Sequence, residues 1–475
     1  MIRPDLRFGT DGWRALIAGE FTFRNVERLA QATARHWMKL PPPGTLRRVV
    51  MGFDSRFLSE EFALRAASVF QEAGFEVLLA DRLTPTPAIS RAARVHRAAG
   101  GIMITASHNP PRFNGFKVRT HAGSSPDDEY CRGIEQELEP VEAHPVRPGS
   151  EVAPGAIRRV DFRSDYLAGI RRQVDVALLR RAPLRVVHDA MFGVGAGCFN
   201  RLLAGTLCEV TERRSERDAE FGGINPEPLA ENCLETSRWL RRNPRDLCLV
   251  TDGDADRIGA LDGRGGFLTG NDVVALVLHH LLTHRKGRGR VVRTINTTSM
   301  VDSLCEAAGV PVTEVAVGFK HVAAELLQGD VLLGVEESGS VGFGDGLPDR
   351  DGLRGGMMLL ELIATEGLSV RRILNRLQRE HGRRFYRRIK LELPPESGRA
   401  VVESCRRDPP AHLGRSVVER VNALDGIKFT ARNGSWLMLR ASGTEPGLRI
   451  YAEAADREAT DRLLAQGVAL VRSAD

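Results

Sequence analysis

One order of elements recurs three times in this 475-residue chain. An apolar strand is followed by a helix, a second strand, a second helix and a third apolar strand. Each third strand then ends in a chemically loaded loop. The first copy runs through strand 48–52, helix 60–73, strand 75–79, helix 88–98 and strand 102–104. The second runs through 184–187, 196–203, 208–210, 229–240 and 247–250. The third runs through 291–294, 300–308, 310–312, 322–327 and 331–333. Apolar strands alternating with helices imply sheets covered on both faces. If the three units are structural copies, their loops occupy equivalent edges and face one shared cleft. After about residue 385 the pattern changes to a strand at 385–393, a polar helix at 398–406, strands at 426–429, 435–440 and 449–452, and a terminal helix. That is a small α+β unit. A chain of this length is too long for one core. The expected divisions are 1–150, 151–265, 266–385 and 386–475, with linkers near 140–154, 263–270 and 383–388.

The loop of the first copy reads Thr105-Ala106-Ser107-His108-Asn109-Pro110. Loops leaving strand ends are where α/β folds place reactive groups. A serine there, with a histidine beside it, small flanking residues and Lys117 nearby, suits a serine that carries a phosphoryl group. A surface loop is the plainer reading of a Ser-His pair. The second loop places Asp252, Asp254 and Asp256 at alternate positions straight after a strand. Three carboxylates on a turning loop can converge on one hard cation, with positions left for a phosphate oxygen. An EF-hand is excluded, because its sixth position is Arg257 and its twelfth is Gly263. A solvated acidic turn balanced by Arg257 is the alternative.

The third loop contains Glu336 and Ser338. Its acids suit sugar hydroxyls, and a helix N-cap on Ser338 is equally consistent. Arg440-Ala441-Ser442-Gly443-Thr444-Glu445-Pro446, with Arg449 beyond it, forms an anion cradle or a simple hairpin turn. Arg14, on the glycine-bounded loop Phe8-Gly9-Thr10-Asp11-Gly12-Trp13-Arg14, is placed either for a phosphate or in an N-terminal turn anchored by Trp13. The run Gly193-Val194-Gly195-Ala196-Gly197-Cys198 fails the dinucleotide fingerprint at its sixth position, and no P-loop occurs.

Only six of the 67 basic residues are lysine. A lysine kept against that bias can do what arginine cannot, such as lose a proton. Lys117 and Lys320 both fall in candidate loops. A formal charge of +6 and a pI near 9.1 favour anionic ligands. No basic run is interleaved with aromatics, so nucleic acid is not expected. The longest apolar stretch is too short for a bilayer, and the N-terminus lacks a signal core, so a cytoplasmic protein is expected. Seven scattered cysteines without a C-x-x-C pair fit reduced thiols and no zinc site.

Together, the loops at 105–110, 252–257, 336–339 and 440–446 resemble the α-D-phosphohexomutase superfamily. They occur in family order across nearly the whole chain. The 8–14 segment and Val317-Gly318-Phe319-Lys320 resemble its bacterial phosphoglucomutase/phosphomannomutase branch. The resemblance implies three tandem α/β/α sandwich domains with mixed sheets plus a C-terminal α+β domain, around a central cleft. It implies a phosphoserine at Ser107, and Mg²⁺ held by Asp252, Asp254, Asp256 and that phosphate. His108 and Lys117 would manage protons and charge, the lysine as a base if burial or cations lower its pKa. Arg14 and Arg257 would steady the transferring group. Glu336 and Ser338 would read the sugar, while Arg440, Ser442, Gly443, Thr444 and Arg449 grip the resting phosphate. Relatives often carry histidine within the segment that here reads Asp345-Gly346-Leu347-Pro348-Asp349-Arg350, which leaves Lys320 or Arg350 to cover its role. Val335, Ser340 and Ala441 also depart from the usual pattern.

The implied reaction exchanges hexose 1-phosphate and hexose 6-phosphate through a hexose 1,6-bisphosphate, which also serves as primer. The Glu-Glu-Ser-Gly loop leans toward glucose, with mannose and glucosamine as alternatives, and the chain would act as a monomer or homodimer. Two rivals use other chemistry. In one, Asp252 is itself the nucleophile, as in haloacid-dehalogenase-like enzymes. In the other, the chain only binds sugar phosphates.

Overall fold

The computed structural model describes residues 6–9, 11–138, 157–441 and 447–474. Four sheets organise them. The first is mixed and takes its strands in the order Trp13–Leu16, Phe113–Thr120, Ala98–Ile104, Leu46–Phe53, Glu76–Ala80, Ile157–Val160. The second runs Phe267–Leu268, Ile258–Asp262, Leu247–Thr251, Arg185–Asp189, Glu209–Arg213. The third runs Val312–Val315, Arg290–Thr294, Val331–Val335, Val341–Phe343. Each contains the same core. The third strand of the repeat lies between the first strand, parallel to it, and a new antiparallel partner. The repeat seen in sequence is therefore a structural one.

The mixed sheets implied by the resemblance are present, but the antiparallel partner strands were not located in the sequence, and they matter most. Each loaded loop is the connection from a third strand to its hairpin partner. The Ser107 loop joins Ala98–Ile104 to Phe113–Thr120. The aspartate loop joins Leu247–Thr251 to Ile258–Asp262, and the Glu336 loop joins Val331–Val335 to Val341–Phe343. Lys117 therefore sits on a strand, and Lys320 is the second residue of helix Phe319–Gln328; neither is in a loop. The first sheet is completed by Ile157–Val160, past the expected division at residue 150.

Third strands are continuous apolar runs because helices cover both faces of the sheet. Every residue of Ala98–Ile104 and of Leu247–Thr251 is buried. The fourth sheet is antiparallel throughout, with Phe385–Leu391 beside Leu448–Ala454 and then Trp436–Ala441, Ile427–Ala431, Ser416–Asn422 and His412–Leu413. Helices Pro395–Arg407 and Arg457–Ala474 complete this unit, which has its own apolar core. Among the described residues no helix is long and apolar enough to cross a membrane.

Candidate active site

The first two loaded loops are in direct contact. The Ser107 hydroxyl donates to Asp252 Oδ2 at 2.9 Å, across 145 residues of sequence. A Cβ added to Gly253 would lie 2.5 Å from the Ser107 carbonyl oxygen, so only glycine lets the loops dock this closely. Ser107 has φ of 52° and Ala255 has φ of 59°. Left-handed backbone at residues with a side chain is strained and persists only where the surroundings enforce it. Arg56 does so for Ser107. Its fully buried guanidinium donates to the carbonyls of Ser107, Asn109, Pro110 and Phe113 at 2.7–2.9 Å. Asp54 holds that guanidinium at 3.1 Å and also accepts from Thr105 and Ser59. The His108 ring nitrogen Nδ1 lies 3.3 Å from the Ser107 oxygen. Burial, followed by Arg257, Arg14 and Lys117, pushes this imidazole well below its usual pKa and leaves it uncharged at neutral pH.

The three aspartates are almost completely buried. Their carboxylates each offer an oxygen within 4.8 Å of the others. Asp254 Oδ1 and Asp256 Oδ1 are buried without any hydrogen-bond partner. Buried anionic oxygens without partners are costly, and a hard cation among them would satisfy both. The donor set therefore fits a magnesium-type ion. Burial and repulsion from Asp254 and Asp256 hold the Asp252 carboxyl well above its usual pKa.

Lys117 supplies the compensating charge in this state. Its ammonium reaches Asp11 at 2.7 Å, Asp254 at 2.7 Å and Asp256 at 3.3 Å. Burial opposes that charge, but Asp11, Asp254 and Asp256 outweigh it and raise the pKa. The expectation of a lysine with lowered pKa is thus corrected, because three carboxylates hold its proton in place. Arg350 reaches both Asp11 and Asp256, the latter at 2.8 Å, and stacks over Phe319. Arg119 pairs with Asp11 at 3.0 Å and with Asp349 at 2.7 Å.

The remaining expected residues divide. Arg14 donates to Asn109 Oδ1 at 2.7 Å, which puts it on the serine loop. Arg257 donates its backbone N–H to Asp252 at 3.1 Å and points its guanidinium at Glu227, 3.3 Å away. Glu336 is buried, and desolvation raises its pKa despite the nearby charges of Arg350 and Arg257. The hydroxyl of Ser338 is 2.9 Å from that of Ser340. Lys320 lies outside the cluster, with its ammonium on Asp128. Arg440 pairs with Asp425 at 2.8 Å and stands opposite Arg449 in the strand register. Ser442, Gly443 and Thr444 lie outside the described residues.

Sequence reading missed Arg56, Asp11, Arg119, Asp349, Glu227 and Arg388. Asp11 lay inside a quoted motif, and Arg56 follows the first strand of its repeat, as a strand-end residue should. Arg388 joins the fourth unit to the others, reaching Glu337 at 2.8 Å and Glu227 at 3.1 Å.

Models of the phosphoglucomutase/phosphomannomutase family match four successive segments: α/β/α domain I at residues 5–144, domain II at 164–266, domain III at 269–381 and the C-terminal domain at 405–470. A phosphoglucomutase/phosphomannomutase of Thermococcus kodakarensis is 30% identical over 468 residues, covering 98% of both chains. A phosphoglucosamine/phosphogalactosamine mutase of Sulfurisphaera tokodaii is 27% identical over 461 residues, 96% of this chain and 97% of the relative. The solved structure of a phosphomannomutase-type protein from Thermus thermophilus superposes with a TM-score of 0.86 at 34% identity, over 99% of this chain and 100% of that one.

Proposed function

The chain belongs to the phosphoglucomutase/phosphomannomutase family of phosphohexomutases, and from that premise we propose that it interconverts the 1- and 6-phosphates of α-D-glucose through a phosphoserine at Ser107. The observation that carries this reading is the 2.9 Å contact between the Ser107 hydroxyl and Asp252 of the metal-type loop. Phosphoryl transfer needs in-line placement and charge neutralisation more than covalent assistance. Starting from the 1-phosphate, the bond from phosphorus to Ser107 Oγ breaks and one to the sugar 6-oxygen forms. The resulting 1,6-bisphosphate turns over, and its 1-phosphoryl returns to Ser107. In the first transfer the sugar 6-hydroxyl gives up a proton and the Ser107 oxygen gains one; on the return Ser107 gives one up and the freed sugar oxygen 1 gains one. His108 Nδ1, uncharged and 3.3 Å from the serine oxygen, is placed to give that oxygen its proton and take it back.

Asp252, Asp254 and Asp256 would hold Mg²⁺ with an oxygen of the serine phosphate. Bound there, Mg²⁺ supplies Lewis-acid neutralisation of the transferring group. Arg14 and Arg257 flank the serine and aspartate loops and add positive charge. Glu336 and Ser338 face the sugar hydroxyls. Arg440 and Arg449, on adjacent strands, grip the phosphate at rest.

Radiolabelled glucose 1,6-bisphosphate tests the reading. The expected product is an acid-stable phosphoserine at position 107, with label and turnover both lost in Ser107→Ala. An acid-labile acyl phosphate on Asp252 would reject it. Rates on glucose, mannose and glucosamine 1-phosphates, measured side by side with primer, should be highest for glucose. A glucosamine preference would instead align the chain with the Sulfurisphaera relative.

A further inference from the structure

Two imidazoles and a carboxylate converge at the end of the third unit remote from Ser107. Helix Gly270–Thr283 carries His279 just before its last turn, and His284 caps its C-terminus. Helix Gly352–Glu366 ends on Glu366 itself. Both helices begin on the reacting side. A Cβ on Gly270 would strike the Glu337 carbonyl, and one on Gly352 would strike that of Arg257. At 1.5 Å of rise per residue the second helix spans about 20 Å, so Glu366 lies far from Arg350. Nε2 of His279 and Nε2 of His284 approach the same oxygen, Glu366 Oε1, at 2.9 and 3.1 Å.

We propose that His279, His284 and Glu366 form a second metal site, for a borderline divalent ion such as Zn²⁺. The aspartate loop offers only hard oxygens, whereas this set offers two imidazole nitrogens and one carboxylate, the donors zinc prefers. Tetrahedral zinc with ligands near 2.0–2.1 Å requires donors about 3.3 Å apart; each imidazole nitrogen lies within a few tenths of an ångström of that separation from Glu366 Oε1, and all three donors lie within 4.8 Å of one another. Thr283 Oγ1, 3.2 Å from His279 Nδ1, can accept that proton and so leave Nε2 for the metal. The C-terminal ends of two helices meet here, and both helix dipoles favour a cation. All three side chains are partly open to solvent, which gives an entry path and a fourth position for water.

One cation already touches the set. Arg376 donates to both Glu366 oxygens at 2.8 Å and lies 3.3 Å from His279 Nε2. Its own helix offers an alternative partner one turn on, Glu380, at 3.9 Å. Zinc entry therefore moves Arg376 from Glu366 to Glu380. The lack of a cysteine zinc motif does not bear on this site, whose donors are histidine and glutamate.

Full-length protein stripped of metal is dialysed against Zn²⁺ in an excess of Mg²⁺, which occupies the aspartate loop. One zinc per chain and a higher melting temperature are expected, and His279→Ala/His284→Ala should lose both. Zinc absent from the wild type, or retained by the double variant, would overturn the site. Arg376→Gln keeps all three donors and guards against a misfolded double variant. It should bind zinc more tightly than wild type, and an unchanged affinity would overturn the site as well.

Discussion

Arg56 contributes more to the Ser107 loop than its distance in sequence suggests. Four carbonyls of the loop accept from this one guanidinium, and the buried Asp54 carboxylate balances its charge. Arg56→Met leaves those oxygens and that carboxylate uncompensated. Breaking a buried pair costs about 3–5 kcal/mol. Freed of the clamp, Ser107 can relax from its φ of 52°. A misplacement of about 1 Å lowers turnover on the order of 100-fold. Urea unfolding and kcat measured together check this, and an unchanged kcat in a destabilised variant would confine Arg56 to stability. Lys117 makes a different prediction. Its ammonium satisfies Asp11, Asp254 and Asp256 without metal. Lys117→Met should therefore depend on Mg²⁺ for its fold far more than wild type does. Thermal melts with Mg²⁺ and with chelator should show a wider gap for the variant, and equal gaps would argue against a cation among these carboxylates.

At the scale of elements, the docking of two hairpin loops builds the site, and Gly253 is where that docking is tightest. Gly253→Ala places a methyl 2.5 Å from the Ser107 carbonyl, a separation Cβ atoms do not tolerate. The loops must part, and turnover should fall with little change in the circular dichroism spectrum. The third strands of the repeat were legible because helices bury both of their faces and leave unbroken apolar runs. Their hairpin partners were not. Strand Phe113–Thr120 buries Asn114, Lys117 and Arg119, so it reads as polar loop. The partners of its two cations are Asp11, Asp254, Asp256 and Asp349, too distant in sequence for any local pattern to show.

Lys428 was hidden for the same reason. It is buried between the third and fourth units, donating to the Ile295 carbonyl at 2.6 Å above the Trp436 ring. Burial, then Arg293, lowers its pKa to about 8. Below that pH both folded and unfolded lysine are charged. Between about 8 and the free value near 10.4 only the unfolded chain keeps the proton, so stability contributed by this residue rises with pH. Wild type should gain on Lys428→Met across that interval, and parallel melting curves would show that the ammonium is not desolvated.

Across the whole molecule, the fourth unit packs on the third through an apolar cluster that includes Ile295 and Trp436, and Arg388 adds a charged clasp. It reaches from strand Phe385–Leu391 to Glu337, in the Glu336 loop, and to Glu227, which also holds Arg257. In the proposed reaction a bisphosphate would exchange its ends at Arg440 and Arg449 while remaining bound. A fourth unit that loosens without detaching meets that need: the apolar cluster of Ile295, Trp436, Met438 and Tyr451 keeps it attached while the charge-assisted clasp opens. Arg388→Met should shift the ligand-free population toward open forms. Small-angle scattering should then give a larger radius of gyration than wild type, with substrate recovering the compact value only at higher concentration. KM should rise more than kcat falls, because the clasp aids closure rather than the transfer itself. A variant whose scattering matches wild type with and without substrate, yet whose kcat alone collapses, would place Arg388 in the chemical step.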